Sequence, residues 1–210
     1  TINTEVSTRR LTETDSFVGA YVKYNGSTNL THIGTHSAAG SNTSDDNDAI
    51  TIVRDNRNVG IGTASPAYKL SVESTSGTSI NIKAGTSSTA RLRFGDSNDD
   101  DIGQIIYDNG GDSMRFHTNA SERMRIDSSG NVGIGLASAS SHDPNANNLV
   151  VGNGTGSNGI TIRTSTTGEG MLAFADGGTG DAQRKNGFIA HDHSVNALRL
   201  GTGANERMRI

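Results

Sequence analysis

Apolar residues recur two positions apart along the chain. Ile50 and Ile52, Val59 and Ile61, Leu92 and Phe94, Met114 and Phe116, Met124 and Ile126, Val132 and Ile134 are such pairs. Leu198 and Leu200, Met208 and Ile210, and Ile80 with Ile82 continue the series, and Ile160/Ile162 and Leu172/Phe174 echo Ile80/Ile82 and Leu92/Phe94. A spacing of two puts both members on one face of a strand, with the intervening Arg, Thr, Asn or Gly on the other. The pairs predict strands of roughly three to five residues. No segment holds a helical period. Turn formers separate the pairs, as in Asp108-Asn109-Gly110-Gly111-Asp112, Asp127-Ser128-Ser129-Gly130-Asn131 and Gly152-Asn153-Gly154. Their Asn and Gly supply the positive φ that tight hairpins need. The predicted class is all-β.

The pattern repeats. Ser121-Glu122-Arg123-Met124-Arg125-Ile126 returns, at an offset of 84, as Asn205-Glu206-Arg207-Met208-Arg209-Ile210. At the same offset Gly103-Gln104-Ile105-Ile106-Tyr107-Asp108 answers Gly187-Phe188-Ile189-Ala190-His191-Asp192, and one step back lies Gly19. Asn58-Val59-Gly60-Ile61-Gly62 recurs as Asn131-Val132-Gly133-Ile134-Gly135 at the shorter offset of 73, so the copies differ by insertions. The expected organisation is a tandem array with a period near 84: units 1–78, 79–151 and a truncated 152–210. Thr1 is not an initiator Met and Ile210 falls inside a unit, so the polypeptide is expected to continue in both directions.

Composition turns the pattern into a question of stability. Gly, Ser, Thr and Asn make up 94 of the 210 residues; Leu, Ile, Val and Phe make up 40. The first group disfavours helix interiors. The 18 basic and 22 acidic residues nearly cancel, so the high net charge typical of disorder is absent. Burial of two apolar side chains per short strand, at ~25 cal/mol per Å², falls short of ~1–2 kcal/mol of backbone entropy per ordered residue. Stacked solenoid coils or parallel chains sharing an axial core would close that gap. A period of 84 exceeds the ~20–50 residues of a solenoid coil, so the shared core is expected. The absence of cysteine excludes disulfides and thiolate metal sites. No basic run marks a nucleic-acid surface, and no apolar run approaches the ~18 residues of a membrane helix. Neither nucleic acid nor membrane insertion is therefore expected.

The string Glu122-Arg123-Met124-Arg125-Ile126-Asp127-Ser128-Ser129-Gly130-Asn131-Val132-Gly133-Ile134-Gly135 resembles a repeat in tail fibres of tailed bacteriophages, especially those of marine and cyanobacterial hosts. Val59-Gly60-Ile61-Gly62-Thr63-Ala64-Ser65-Pro66-Ala67-Tyr68-Lys69-Leu70-Ser71-Val72 continues the likeness, whereas Leu136-Ala137-Ser138 departs from it. In that family the repeat often precedes a self-cleaving C-terminal intramolecular chaperone domain, which this sequence lacks. The resemblance implies an elongated fibrous assembly, an intertwined parallel homotrimer. It implies a structural section of a tail fibre on the virion, outside the cell, that spaces and presents a host-receptor-binding tip. Other phage tail proteins and a host surface glycan would be the further partners. A bacterial extracellular repeat adhesin is the alternative, and a polysaccharide-degrading tailspike a third.

Residues able to do chemistry are scattered, and no enzyme is expected. No Gly-x-Ser-x-Gly elbow opens a helix. Asp96 with Asp99, Asp100 and Asp101, and Asp45 with Asp46 and Asp48, are carboxylate clusters of the kind used for glycoside cleavage or calcium. Both lie in polar linkers, and around Asp176 and Asp181 only part of the charge returns, so solvated loops are expected. Tyr21, Tyr24, Tyr68 and Tyr107 are the tyrosines available to stack on a sugar. Five glycosylation sequons, at Asn25, Asn29, Asn42, Asn119 and Asn153, follow from the composition. Arg123, Arg125, Arg207 and Arg209 alternate with apolar residues and should face outward or between chains. There a guanidinium suits bidentate pairing with a neighbouring subunit, Glu122 and Glu206 being candidates. His191 and His193 share a face two residues apart, and three chains would offer six nitrogens to a transition metal. Their stretch aligns with the Asp108-Asn109-Gly110 turn, so two surface histidines in a hairpin are expected, with no metal, cofactor or catalytic residue.

Overall fold

A computed structural model of the chain describes residues 6–12, 19–36, 46–176 and 186–210. The chain divides into two compact units, Thr1–Ile82 and Lys83–Ile210. Both are built from strands, and a 3-10 turn at Ala139–Ser141 interrupts the pattern.

The first unit holds one six-stranded sheet whose spatial order follows the sequence: β1 (Val6–Thr12), β2 (Gly19–Asn25), β3 (Leu30–His36), β4 (Asp46–Val53), β5 (Val59–Ile61) and β6 (Leu70–Val72). Neighbours are antiparallel as far as β5, and β6 runs parallel to β5. Parallel neighbours normally need a crossover of a dozen or more residues. Here the strands are so short that the Gly62–Lys69 loop returns the chain alone. Gly62, at φ +74°, ends β5, and the buried Asn58 amide donates to the Pro66 carbonyl at 2.9 Å to hold the loop.

The second unit holds two sheets. One contains β7 (Thr89–Phe94), β8 (Gly103–Asp108), β9 (Ser113–Thr118), β10 (Ser121–Ile126), β11 (Val132–Ile134) and β12 (Leu149–Val151), again with a parallel last pair. The other is an antiparallel meander of β13 (Glu169–Phe174), β14 (Gly187–Asp192), β15 (Ala197–Thr202) and β16 (Asn205–Arg209). Two-residue turns join β9 to β10 and β15 to β16. Both central residues have positive φ, 52° and 54° at Asn119 and Ala120, 57° and 60° at Gly203 and Ala204. That is the turn hand that matches strand twist.

Each sheet carries a β-bulge at the same place. Ala49, Arg123 and Arg207 are the extra residues, opposite the steps Ile33/Gly34, Phe116/His117 and Leu200/Gly201. In a regular strand residues three apart lie on opposite faces. The bulge brings Glu122 onto the face of Arg125, and Glu206 onto that of Arg209.

The all-β expectation holds, and nearly every apolar pair lies in a strand. Ile80/Ile82 and Ile160/Ile162 do not. Residues 77–85 and 157–165 carry no strand. A strand exists only where a ladder partner completes its backbone hydrogen bonds, and among the described residues these segments have none.

Candidate functional site

The two faces of each sheet differ in what covers them. On one face the register lines up apolar residues strand by strand. In the β7–β12 sheet one row runs Leu92, Ile105, Phe116, Met124, Ile134, Val151. The next runs Ala90, Tyr107, Met114, Ile126, Val132, Leu149. In the first unit Val22, Ile33, Ile50, Ile61 and Val72 form the matching row. Leu172, Ile189, Leu200 and Met208 form it in the β13–β16 sheet. The described residues leave these rows half open: Leu92 is 47 % exposed, Leu149 54 % and Leu172 52 %. Cross-strand apolar pairs of this kind contribute roughly 0.2–1 kcal/mol each, and covering the face would add the burial term.

The opposite face is polar and closed over by its own charges. Around the acid next to each bulge, cations gather. Arg125 makes two hydrogen bonds of 2.8 Å to Glu122, whose carboxyl is held below the usual range first by that pairing. Arg115 reaches Asp108 on one side and lies 3.9 Å from Glu122 on the other. Burial, followed by the neighbouring Arg125 charge, lowers the Arg115 guanidinium. Arg209 binds Glu206 in the same two-pronged way at 2.8 Å, and Arg199 adds a 2.7 Å bond. Those bonds, from Arg209 first and then Arg199, bring the Glu206 carboxyl down to about 2. In the first unit the acid is Asp48, bonded by the Tyr21 hydroxyl, 3.0 Å from His32 and 3.6 Å from Lys23.

Aromatic rings sit beneath these charges. Phe188 covers Gly201, its cross-strand partner, and lies under the Arg199 guanidinium at 5.9 Å. Tyr21 covers Gly34 in the same manner beneath Lys23. A ring laid over a strand glycine fills the missing side chain's space.

Tyr21 is 1 % exposed and pinned to Asp48, so it cannot serve as a sugar platform; its place over Gly34 is a register effect invisible in a linear motif. Tyr107 belongs to the second apolar row, Tyr24 pairs across with Thr31 and accepts from Arg54 through its hydroxyl, and Tyr68 stands exposed. Asp96 accepts from the backbone N–H groups of Asn98 and Asp99, and Asp99 from that of Asp101. These carboxylates cap their own loop. Asp45, Asp181 and Asn42 lie outside the described residues. Arg125 and Arg209 find their two-pronged acids, the candidates Glu122 and Glu206, within the chain. Arg123 and Arg207, at the bulges, donate to Thr118 and Thr202.

The structure brings His191 and His193 together, their rings edge to face at 4.7 Å. His191 lies in the apolar-face row with Gly170 and Leu198; His193 is in the following turn, its N–H donating to Gly168 at 3.0 Å. Among the described residues no three His, Asp or Glu side chains converge as metal ligands.

The two faces were legible from the period of two, but the pairings of Glu122 with Arg125 and of Glu206 with Arg209 on the polar face were not. The signal that could have found them is the acid followed three residues later by Arg, which a regular strand would split between faces. No protein-family model matches the chain, and no curated protein matches it.

Proposed function

We propose that this chain is a structural section of a phage tail fibre, a homotrimer of parallel chains that spaces and presents a receptor-binding tip on the virion. The observation that carries this reading is the uncovered apolar face repeated in all three sheets. Monomeric proteins rarely leave contiguous apolar patches beyond ~300–600 Å². Rows four to six residues long, recurring in each sheet, call for a partner that runs beside them. Parallel copies meeting around an axis place every apolar row inside and every Arg–Glu network outside. The outer networks then act as a charged skin. Their role is mechanical and solubilising, and no catalytic step is assigned to them. Other tail proteins and a host surface glycan are the further partners of this reading.

The mass of the native particle tests the proposal. Three times the 21.9 kDa chain is expected. A single-chain mass with the apolar faces still open to solvent overturns it.

A further inference from the structure

The segments Ser79–Lys83 and Gly159–Arg163 are the two places where the sequence calls for a strand and the fold supplies none. Both run without turn or bend. Their backbone N–H and C=O groups have no partner among the described residues. The apolar side chains alternate as in a half-buried strand, yet Ile80 is 68 % exposed and Ile160 71 %. Ile162 rests against Gly170 on the apolar face, where the missing side chain leaves room, and still half its surface is open. Ile160 and Ile162 form, with Leu172, Ile189, His191 and Leu198, a cleft of about 280 Å³.

A second feature matches the first. β7 and β13, the strands that follow these segments, are the outer strands of their sheets, with one side unpaired. Each is six residues long. The spacing is the same in both places, since Leu92 follows Ile80 at the interval by which Leu172 follows Ile160. Each copy of the chain therefore holds two extended segments lacking a ladder, and each of them leads into the open outer edge of a sheet. Open edges and unpaired apolar strands are hazards that folded proteins cover. Strand addition satisfies both at once, with main-chain bonds giving affinity and alternate side chains giving fit. A partner must offer acceptor edges at the interval of the donor segments, and a second copy of this chain does so by construction.

We infer that Ser79–Lys83 and Gly159–Arg163 are donor strands, pairing with the outer edges of β7 and β13 of a neighbouring copy. This rests on the multi-chain reading above and adds the elements that interlock the chains. It gives the fibre resistance to pulling apart, because separating copies breaks ladders of hydrogen bonds together with apolar contact.

Hydrogen exchange on the native particle, with its mass measured in parallel, tests the inference. The amides of Ile80–Lys83 and Ile160–Arg163 should exchange at least ~100-fold more slowly than the exposed turn Ser128–Gly130. Since the chain has no cysteine, a Thr161→Cys, Ala173→Cys variant gives a second readout: oxidation should link different chains on a denaturing gel. A multi-chain mass with freely exchanging segments overturns strand donation and leaves the assembly standing. Slow exchange without cross-linking between chains overturns the assignment of β13 as acceptor. A single-chain mass overturns both this inference and the proposed function.

Discussion

Replacing Ile134 by aspartate separates an open sheet face from a shared core. Ile134 lies between Met124 and Val151 in a six-residue apolar row and is 42 % exposed in the single chain. Full burial of an isoleucine is worth about 1.5–3 kcal/mol, and roughly half of that is realised within one chain. If the face stays in water, Ile134→Asp costs only about 1 kcal/mol, because the carboxylate keeps its hydration. If three chains meet there, three carboxylates are buried together. The cations that could pair with them, Arg91, Arg115 and Arg125, are placed by register on the opposite face. An unpaired buried charge costs several kcal/mol, and three of them rival the ~5–15 kcal/mol that holds a domain folded. The expected result is a dissociated or unfolded chain, read by light scattering on a sizing column and by thermal melting. Ser129→Asp, in the exposed turn before β11, should leave mass and melting unchanged. Normal mass for Ile134→Asp, with stability within about 1 kcal/mol of the parent, refutes the shared-core reasoning.

The polar face and the turns carry three further expectations. Gly201→Ala places a methyl group 2.7 Å from the Asn205 carbonyl oxygen and closer still to the Phe188 ring, which should cost about 1–3 kcal/mol in denaturant unfolding. In a Phe188→Ala background that penalty should shrink, and a cycle showing no coupling would argue against the ring-over-glycine packing. Ala204→Gly relieves a left-handed alanine at φ 60° and should stabilise by up to about 1 kcal/mol, with a lower melting temperature counting against the turn assignment. Glu206 is held at about 2, below its ordinary 4.5, so its pairing stabilises fully above pH 4.5 and is lost as pH falls towards 2. Glu206→Gln should therefore flatten the loss of stability across that window, and an unchanged slope would show that the Arg209 and Arg199 bonds do not matter to folding.

The period-two apolar pairs were enough to locate most strands, because a strand's side-chain alternation is a local property. The turns were legible in part: Gly130, Gly152 and Gly154 take the positive φ expected of them, whereas at 108–112 it falls on Asp112, and in the two-residue hairpins Ala120 and Ala204 adopt it. Register was not legible. It depends on which residues face each other across strands, and a bulge of one residue reverses every side chain beyond it. Arg123 and Arg207 read as members of an alternating row; the bulges take them out of it and put Glu122 beside Arg125 and Glu206 beside Arg209. Tyr21 read as a tyrosine available to stack on a sugar and Phe188 as a strand residue, and only the pairing with Gly34 and Gly201 placed them beneath a charged cover. Ile80 and Ile160 mark the opposite limit. Sequence alone determined that these segments have the alternation of strands, because alternation belongs to the chain. Tertiary structure decided that they are not strands within one chain, because a strand also needs a hydrogen-bonding partner, and no described edge of the same chain supplies one.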